Sequence, residues 1–146
     1  MIRSGRAADL SAITHVRTSV VENHLSVAQM AALGITPQSV IADMEAGTLG
    51  CWVWDEEGQV TGFSMADRRD GSIFALFVLP GHEGRGIGSR LLAACEAWLK
   101  SHGHSAVRLS TGRNTIAHGF YQRRGWQIAE AAADLHPEDD TFTKAL

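Results

Sequence analysis

The segment "FVLPGHEGRGIGSRLL", Phe77 to Leu92, constrains the fold of this chain more than any other. A hydrophobic run ends at Pro80, and Gly84, Gly86 and Gly88 alternate behind it. Apolar residues then recur at Ile87, Leu91, Leu92, Cys95, Trp98 and Leu99 with the spacing of one helix face. Glycine loses more backbone entropy on folding than any other residue, so three of them here indicate a backbone that turns tightly and is closely approached. The first N–H groups of a helix lack internal partners, and the helix dipole favours negative charge beside them. A strand, a glycine turn and a helix start therefore make an anion site suited to phosphate.

Two common phosphate motifs do not fit. A P-loop requires GxxxxGK[ST]; Gly81 and Gly86 have that spacing, but Ile87 and Gly88 occupy the lysine and hydroxyl places. A dinucleotide fingerprint requires GxGxxG, and Ser89 stands where the third glycine belongs. Nor does an acidic residue follow at the right distance on a second parallel strand.

With 146 residues, 45% hydrophobic and 20% charged, the chain reads as one globular domain spanning residues 1–146. A formal net charge of -3 provides no basic footprint for nucleic acid. The apolar runs are strand-length, and "MIRSGRAADL" lacks the apolar core of a signal peptide, so a cytoplasmic protein without a membrane partner is expected. Cys51 and Cys95 are then expected as buried thiols, a disulfide being the alternative. The seven histidines are scattered without HExxH or a Cys/His cluster, so no metal site is expected.

"MIRSG" reads as an edge strand, followed by a helix capped by Asp9 with Leu10, Ile13, Val16 and Val20 on its apolar face. A less regular connection with a short helix leads to a helix with Thr36 as N-cap, Pro37 at its first position and Gly47 near its end. Trp52–Trp54, Val60–Ser64 and Ser72–Leu79, separated by "DEEG" and "RRDG", form an antiparallel meander. The glycine-loop helix, a strand "AVRLST", a helix from Thr115 to Arg124, and the pair "WQIAEAA" and "TFTKAL" complete the chain. The order is β-α-α-β-β-β-α-β-α-β-β, a mixed α/β fold with a mainly antiparallel sheet and one parallel crossover.

The segment "VLPGHEGRGIG" resembles the acetyl-CoA loop of the GNAT N-acetyltransferase superfamily, which reads Gln/Arg-x-x-Gly-x-Gly/Ala after a strand ending in Val-x-Pro. Val78, Pro80, Gly86 and Gly88 match, and Glu83 stands in the Gln/Arg place. The segment "STGRNTIAHGFYQRRGW" is similar to the family's Asn-x-x-Ala-x-x-x-Tyr-x-x-x-Gly-aromatic run, with Asn114, Ala117, Tyr121, Gly125 and Trp126 in register. The resemblance implies that acetyl-CoA binds along Phe77, Val78, Glu83, Gly84, Arg85, Gly86, Ile87, Gly88, Ser89 and Asn114. Glu83 is a departure: a carboxylate repels pyrophosphate, so its side chain is expected to turn away while its backbone serves, and Arg85 to offset the charge. Arg123 and Arg124 follow Tyr121, where a solvated helix end is the favoured reading and contact with the cofactor's phosphates or pantetheine arm the alternative.

The resemblance also implies direct attack of an amine on the thioester, with Tyr121 as general acid toward the departing sulfur and neither cysteine as nucleophile. Asn114 serves as N-cap of its helix, as a contact to the pantetheine arm, or as both. The strand "SIFALFV" carries no acid to deprotonate the amine, which leaves Glu22, His24 and Asp67 as candidates, Glu22 and Asp67 being retained as substrate contacts. The acceptor is expected to be a small amine or amino acid in preference to a protein lysine or N-terminus. Arg17, Arg68 and Arg69 are the cations that could receive an acidic one. Homodimers are common in the family. The reading from another class is a non-catalytic acyl-CoA-binding sensor.

Overall fold

Alternating apolar residues along the middle of the chain build the centre of a twisted sheet, and helices with one apolar stripe each cover its two faces. The computed structural model describes residues 1–20, 26–113, 115–129 and 139–146. Its elements are β1 (Ile2–Ser4), a 3-10 turn (Ala7–Asp9), α1 (Leu10–Ser19), α2 (Val27–Ala32), α3 (Pro37–Glu45), β2 (Leu49–Glu56), β3 (Gln59–Asp67) and β4 (Ser72–Val78). There follow α4 (Ile87–Ser101), β5 (Ala106–Gly112), α5 (Ile116–Arg123), β6 (Gln127–Ile128) and β7 (Asp139–Ala145). The seven strands form one sheet in the order β1-β2-β3-β4-β5-β7-β6, antiparallel everywhere except between β4 and β5. This is the mixed α/β, mainly antiparallel fold expected from the sequence. Among the described residues no helix is long and apolar enough to cross a membrane.

On one face, Leu10, Ile13 and Val16 of α1 pack on Val53, Phe63 and Met65, with Val40 and Ile41 of α3 alongside. On the other face, Leu92, Cys95 and Leu99 of α4 pack with Val107, Leu109, Tyr121, Trp126 and Phe142. Helix α4 lies tight against β3 because Gly62 has no side chain: a Cβ there would stand 3.1 Å from both Ile87 and Leu91. The buried Ser64 hydroxyl donates to the Leu91 carbonyl at 3.1 Å, so the helix is held in register by a satisfied polar contact.

The parallel pair decides the site. Strand β4 meets β5 at one rung, Ser72 to Arg108, with the Arg108 N–H donating to the Gly71 carbonyl at 3.1 Å. Beyond it the strands diverge, and β5 takes its full ladder from β7 instead, from Ala106 opposite Ala145 to Gly112 opposite Asp139.

Local signals place most elements where the sequence puts them, including the Thr36 cap, Pro37 at the first helical position and the meander. Two caps differ. Asp9 precedes α1, but its carboxylate closes the 3-10 turn instead, accepting from the Arg6 N–H at 2.8 Å. It also accepts from Arg3 Nη1 at 2.8 Å and Nη2 at 2.9 Å, because β1 carries Arg3 beside the turn. Helix α5 is capped by Thr115, whose hydroxyl accepts from the His118 N–H at 3.2 Å; Asn114 lies outside the described residues.

Arg3 also donates to Asp55 at 3.0 Å, so it ties β1, the end of β2 and the start of α1 together. The Arg3 guanidinium, despite opposing burial, holds the Asp9 carboxyl below its ordinary value of 3.8. A carboxylate depressed on folding stabilises the fold above its ordinary pKa and loses that contribution as pH falls through the lower folded value. Asp9→Asn is expected to lower Tm by about 2–4 °C at neutral pH. That difference should shrink as pH falls below 3.8, which thermal unfolding across that range measures.

Candidate functional site

The end of β4 offers backbone on one edge and N–H groups at its tip. The Leu79 N–H donates to the Thr61 carbonyl at 2.7 Å, which makes Leu79 and Thr61 a hydrogen-bonded pair of the antiparallel ladder. Such pairs alternate, so Phe77 and Ala75 bond toward β3, while the backbone groups of Leu76 and Val78 face the opening beside β5. Val78, named from the sequence, thus presents backbone to the opening; Phe77 presents its ring to the α1 face, 5.8 Å from Phe63.

The loop after β4 takes left-handed backbone at Gly81, Gly84 and Gly86, and Gly86, with φ of 78°, is the N-cap of α4. Its carbonyl receives the Arg90 N–H at 3.2 Å, the first bond of the helix. None of the N–H groups from Gly84 to Ser89 finds a partner among the described residues, so they point from an exposed turn as a ready anion cradle. Gly88 is ordinary helix: the nearest atoms to a Cβ there are the Phe120 ring at 3.8 Å and Val78 Cγ2 at 4.0 Å. Its missing side chain opens the space between α4 and α5.

Charges around the loop are directed by tertiary contacts. The Glu83 carboxylate accepts from the Gly81 N–H at 2.9 Å and so stays within its own turn. Arg85 lies toward Glu56 at 3.7 Å rather than toward Glu83, and His82 lies 3.6 Å from the same carboxylate. Glu56, at the β2–β3 hairpin, was not legible as a loop partner, because its reach depends on where that hairpin ends. Arg124 spans the two helices: its guanidinium stacks 3.6 Å over Phe120 and donates to the Ser89 hydroxyl. That leaves it beside the cradle rather than free in solvent.

Tyr121 sits in the core with its ring 5.2 Å from Phe120, 5.5 Å from Trp126 and 5.9 Å from Phe142. Burial, with Cys95 nearby, pushes its hydroxyl well above the ordinary tyrosine value of 10, against a small opposing effect of Arg124. It therefore keeps its proton at neutral pH. Cys51 and Cys95 are free, buried thiols, and burial pushes each up to about 12, so neither is a thiolate nucleophile at neutral pH.

Asp67 does not join these groups. It pairs with Ser72 at the start of β4, about 20 Å along the strand from Val78. Arg69 grips its carboxylate with Nη2 at 2.8 Å and holds it below the usual range. The hollow of about 430 Å³ lined by Met44, Trp52, Arg68, Trp98 and His102 belongs to that same distant end. Glu22 and His24 lie outside the described residues. Among the described residues no group of three or more His, Cys, Asp or Glu is placed to hold a metal.

The family model described as "Acetyltransferase (GNAT) family" matches residues 19–126, spanning β2–β4, the glycine loop and α5. Among solved structures, the PaiA N-acetyltransferase from Thermoplasma acidophilum, in complex with coenzyme A, is 16% identical. It superposes with a TM-score of 0.82 over 100% of this chain and 98% of that one. The ribosomal-protein-alanine N-acetyltransferase from Brucella melitensis is 19% identical, with a TM-score of 0.73 over 100% and 99%. YncA from Salmonella typhimurium, a putative acetyltransferase with its cofactor acetyl-CoA, is also 19% identical, with a TM-score of 0.68 over 100% and 92%.

The buried thiols provide a check on this packing. The native protein is expected to leave a thiol reagent such as dithionitrobenzoate unreacted over minutes at pH 8, and to release both equivalents on unfolding. Rapid reaction of the native protein would mean that the α1 face over Cys51 or the α4 face over Cys95 is open.

Proposed function

Because the chain belongs to the GNAT acetyltransferase family, we propose that it moves the acetyl group of acetyl-CoA to a primary amine by direct attack, without an acyl-enzyme. The observation that carries this reading is the parting of β4 from β5 with an unpartnered N–H cradle at its end. An extended ligand arm fits an opening edged by strand backbone, and a pyrophosphate fits the cradle. The residues suit the co-substrate on the structure's own terms: Gly88 leaves space where a side chain would intrude, and Glu83 is engaged by its own turn.

In this reading Gly84, Arg85, Gly86, Ile87, Gly88 and Ser89 hold pyrophosphate through backbone N–H groups, with the Arg124 guanidinium adding positive charge beside Ser89. The backbone of Leu76 and Val78 aligns the arm in the opening, and an N–H of that edge polarises the thioester carbonyl. The bound co-substrate supplies the activated acyl group. Tyr121 donates its proton to the sulfur as the C–S bond breaks, the attacking nitrogen loses one proton to water, and Tyr121 regains a proton from water. An ordinary tyrosine, pKa ~10, is a weaker acid than a thiol, pKa ~8.5, so full transfer is uphill by about 2 kcal/mol in water. Burial raises the Tyr121 pKa further, but the same exclusion of water raises the basicity of the departing thiolate, so the gap need not widen. A hydrogen bond that strengthens as sulfur gains charge lowers the barrier even without complete transfer.

Two substitutions test the halves of this proposal. Gly88→Val should fold, since a Cβ there meets only ordinary contacts, yet weaken acetyl-CoA binding at least 10-fold in calorimetry. Unchanged affinity would remove pyrophosphate from the cradle. Gly86→Val is a poorer probe, because its positive φ strains any branched residue.

Tyr121→Phe keeps the ring contacts and should lower kcat by roughly 10²-fold with little change in acetyl-CoA affinity. The loss should be smaller with an acyl donor whose thiol is more acidic, since that leaving group needs less proton assistance. Full turnover by the variant would assign protonation of the sulfur to water.

A further inference from the structure

On the α1 face, opposite the glycine loop, one cation has no counter-charge among the described residues. Arg17 lies in the last turn of α1, and its guanidinium carbon stands 4.1 Å from the centre of the Phe77 ring. Its Nη1 is buried and has no hydrogen-bond partner among the described residues. Arg3, Arg69 and Arg108, by contrast, each meet a carboxylate: Arg3 with Asp9 and Asp55, Arg69 with Asp67, Arg108 with Asp70. Burial alone shifts the Arg17 pKa, downward, with no carboxylate raising it.

A half-buried guanidinium with an unmet N–H is costly, and stacking on an aromatic ring offsets only part of that cost. The arrangement is stable at lowest cost when an anion completes it. Its place is informative. Phe77 lies between Leu76 and Val78, whose backbone borders the β4–β5 opening. The phosphate cradle is on the α4 side of the sheet and Arg17 on the α1 side, so the cation is separated from the donor's phosphates by the strand itself. Arg17 therefore lies on the α1 side of the strand that edges the opening.

Resting on the acetyltransferase reading above, we infer that Arg17 receives a carboxylate of the acceptor, so that the amine acetylated belongs to a molecule that also carries a carboxylate. The planar fork of a guanidinium pairs two N–H groups with two carboxylate oxygens, and one cation offsets one negative charge. Free amino acids satisfy this with their own carboxylate; a peptide satisfies it with an acidic side chain near its amino terminus.

Turnover with acetyl-CoA is measured for amino acids against their amides, and for short peptides with Asp or Glu beside the amino terminus against the Asn or Gln counterparts. The wild-type protein is expected to prefer the acid of each effective pair by roughly 10–100-fold in kcat/KM. Arg17→Met, which keeps an unbranched stem over Phe77, should erase that preference mainly through KM. Acetyl-CoA affinity should stay unchanged and Tm should not fall, because the substitution removes an uncompensated charge. The pair with the larger ratio identifies the source of the carboxylate. Equal use of acids and amides by the wild type, a loss shared equally between them in Arg17→Met, or weakened acetyl-CoA binding overturns the inference.

A second measurement stands without turnover. The Arg17 side-chain ¹⁵N resonance is followed while N-acetylated amino acids, and separately their amides, are added with and without coenzyme A. Movement with the acids alone supports the carboxylate site, and indifference to them overturns it. Failure of coenzyme A itself to bind would count against the acetyltransferase reading and leave the Arg17 result to be judged on its own.

Discussion

Between Ser72 and Arg108 the two parallel strands of the sheet share their one rung, and from that point β4 and β5 diverge. A strand edge left without a partner exposes N–H and C=O groups that need water, another strand or a ligand. Here the unpaired edge comprises the backbone of Leu76 and Val78. Past a turn that satisfies the Leu79, Gly81 and His82 N–H groups, it leads to Gly84–Ser89, whose N–H groups find no partner among the described residues. The two unsatisfied stretches follow each other along one run of chain, and that succession makes the opening a site for an extended ligand with an anionic end.

The divergence is sustained from both sides. Strand β5 gives its other edge wholly to β7, from Ala106 through Gly112, so it has no need of β4 beyond the first rung. Strand β4 is secured to β3, and β3 to α4 through the close approach at Gly62 and the Ser64–Leu91 contact. The glycine loop is thereby carried on a rigid base. Its own charges are managed locally: Glu83 satisfies Gly81, Glu56 attracts Arg85, and Arg124 reaches Ser89 from α5. Tyr121 belongs to the same frame, wedged between Phe120, Trp126 and Phe142, which fixes its ring without engaging it in the anion cradle.

What the sequence determined by itself was everything encoded within a few residues. Thr36 and Pro37 start a helix because cap and fixed φ act on neighbouring N–H groups. The alternation through Trp52–Ser64 and the helical spacing from Ile87 to Leu99 declare strand and helix by period. The glycine loop and the Ala117–Tyr121–Gly125 spacing marked the family, because backbone freedom and helix pitch are local properties. Tertiary structure decided where charges went. Asp9 turned to Arg3 because β1 brings Arg3 beside it, and Asp67 fell at the far end because β3 runs antiparallel to β4. Arg17 came to lie over Phe77 because α1 crosses the strand that bears it. A side chain's partner is set by strand order and register, through contacts between residues far apart in the chain, and no local pattern carries that information.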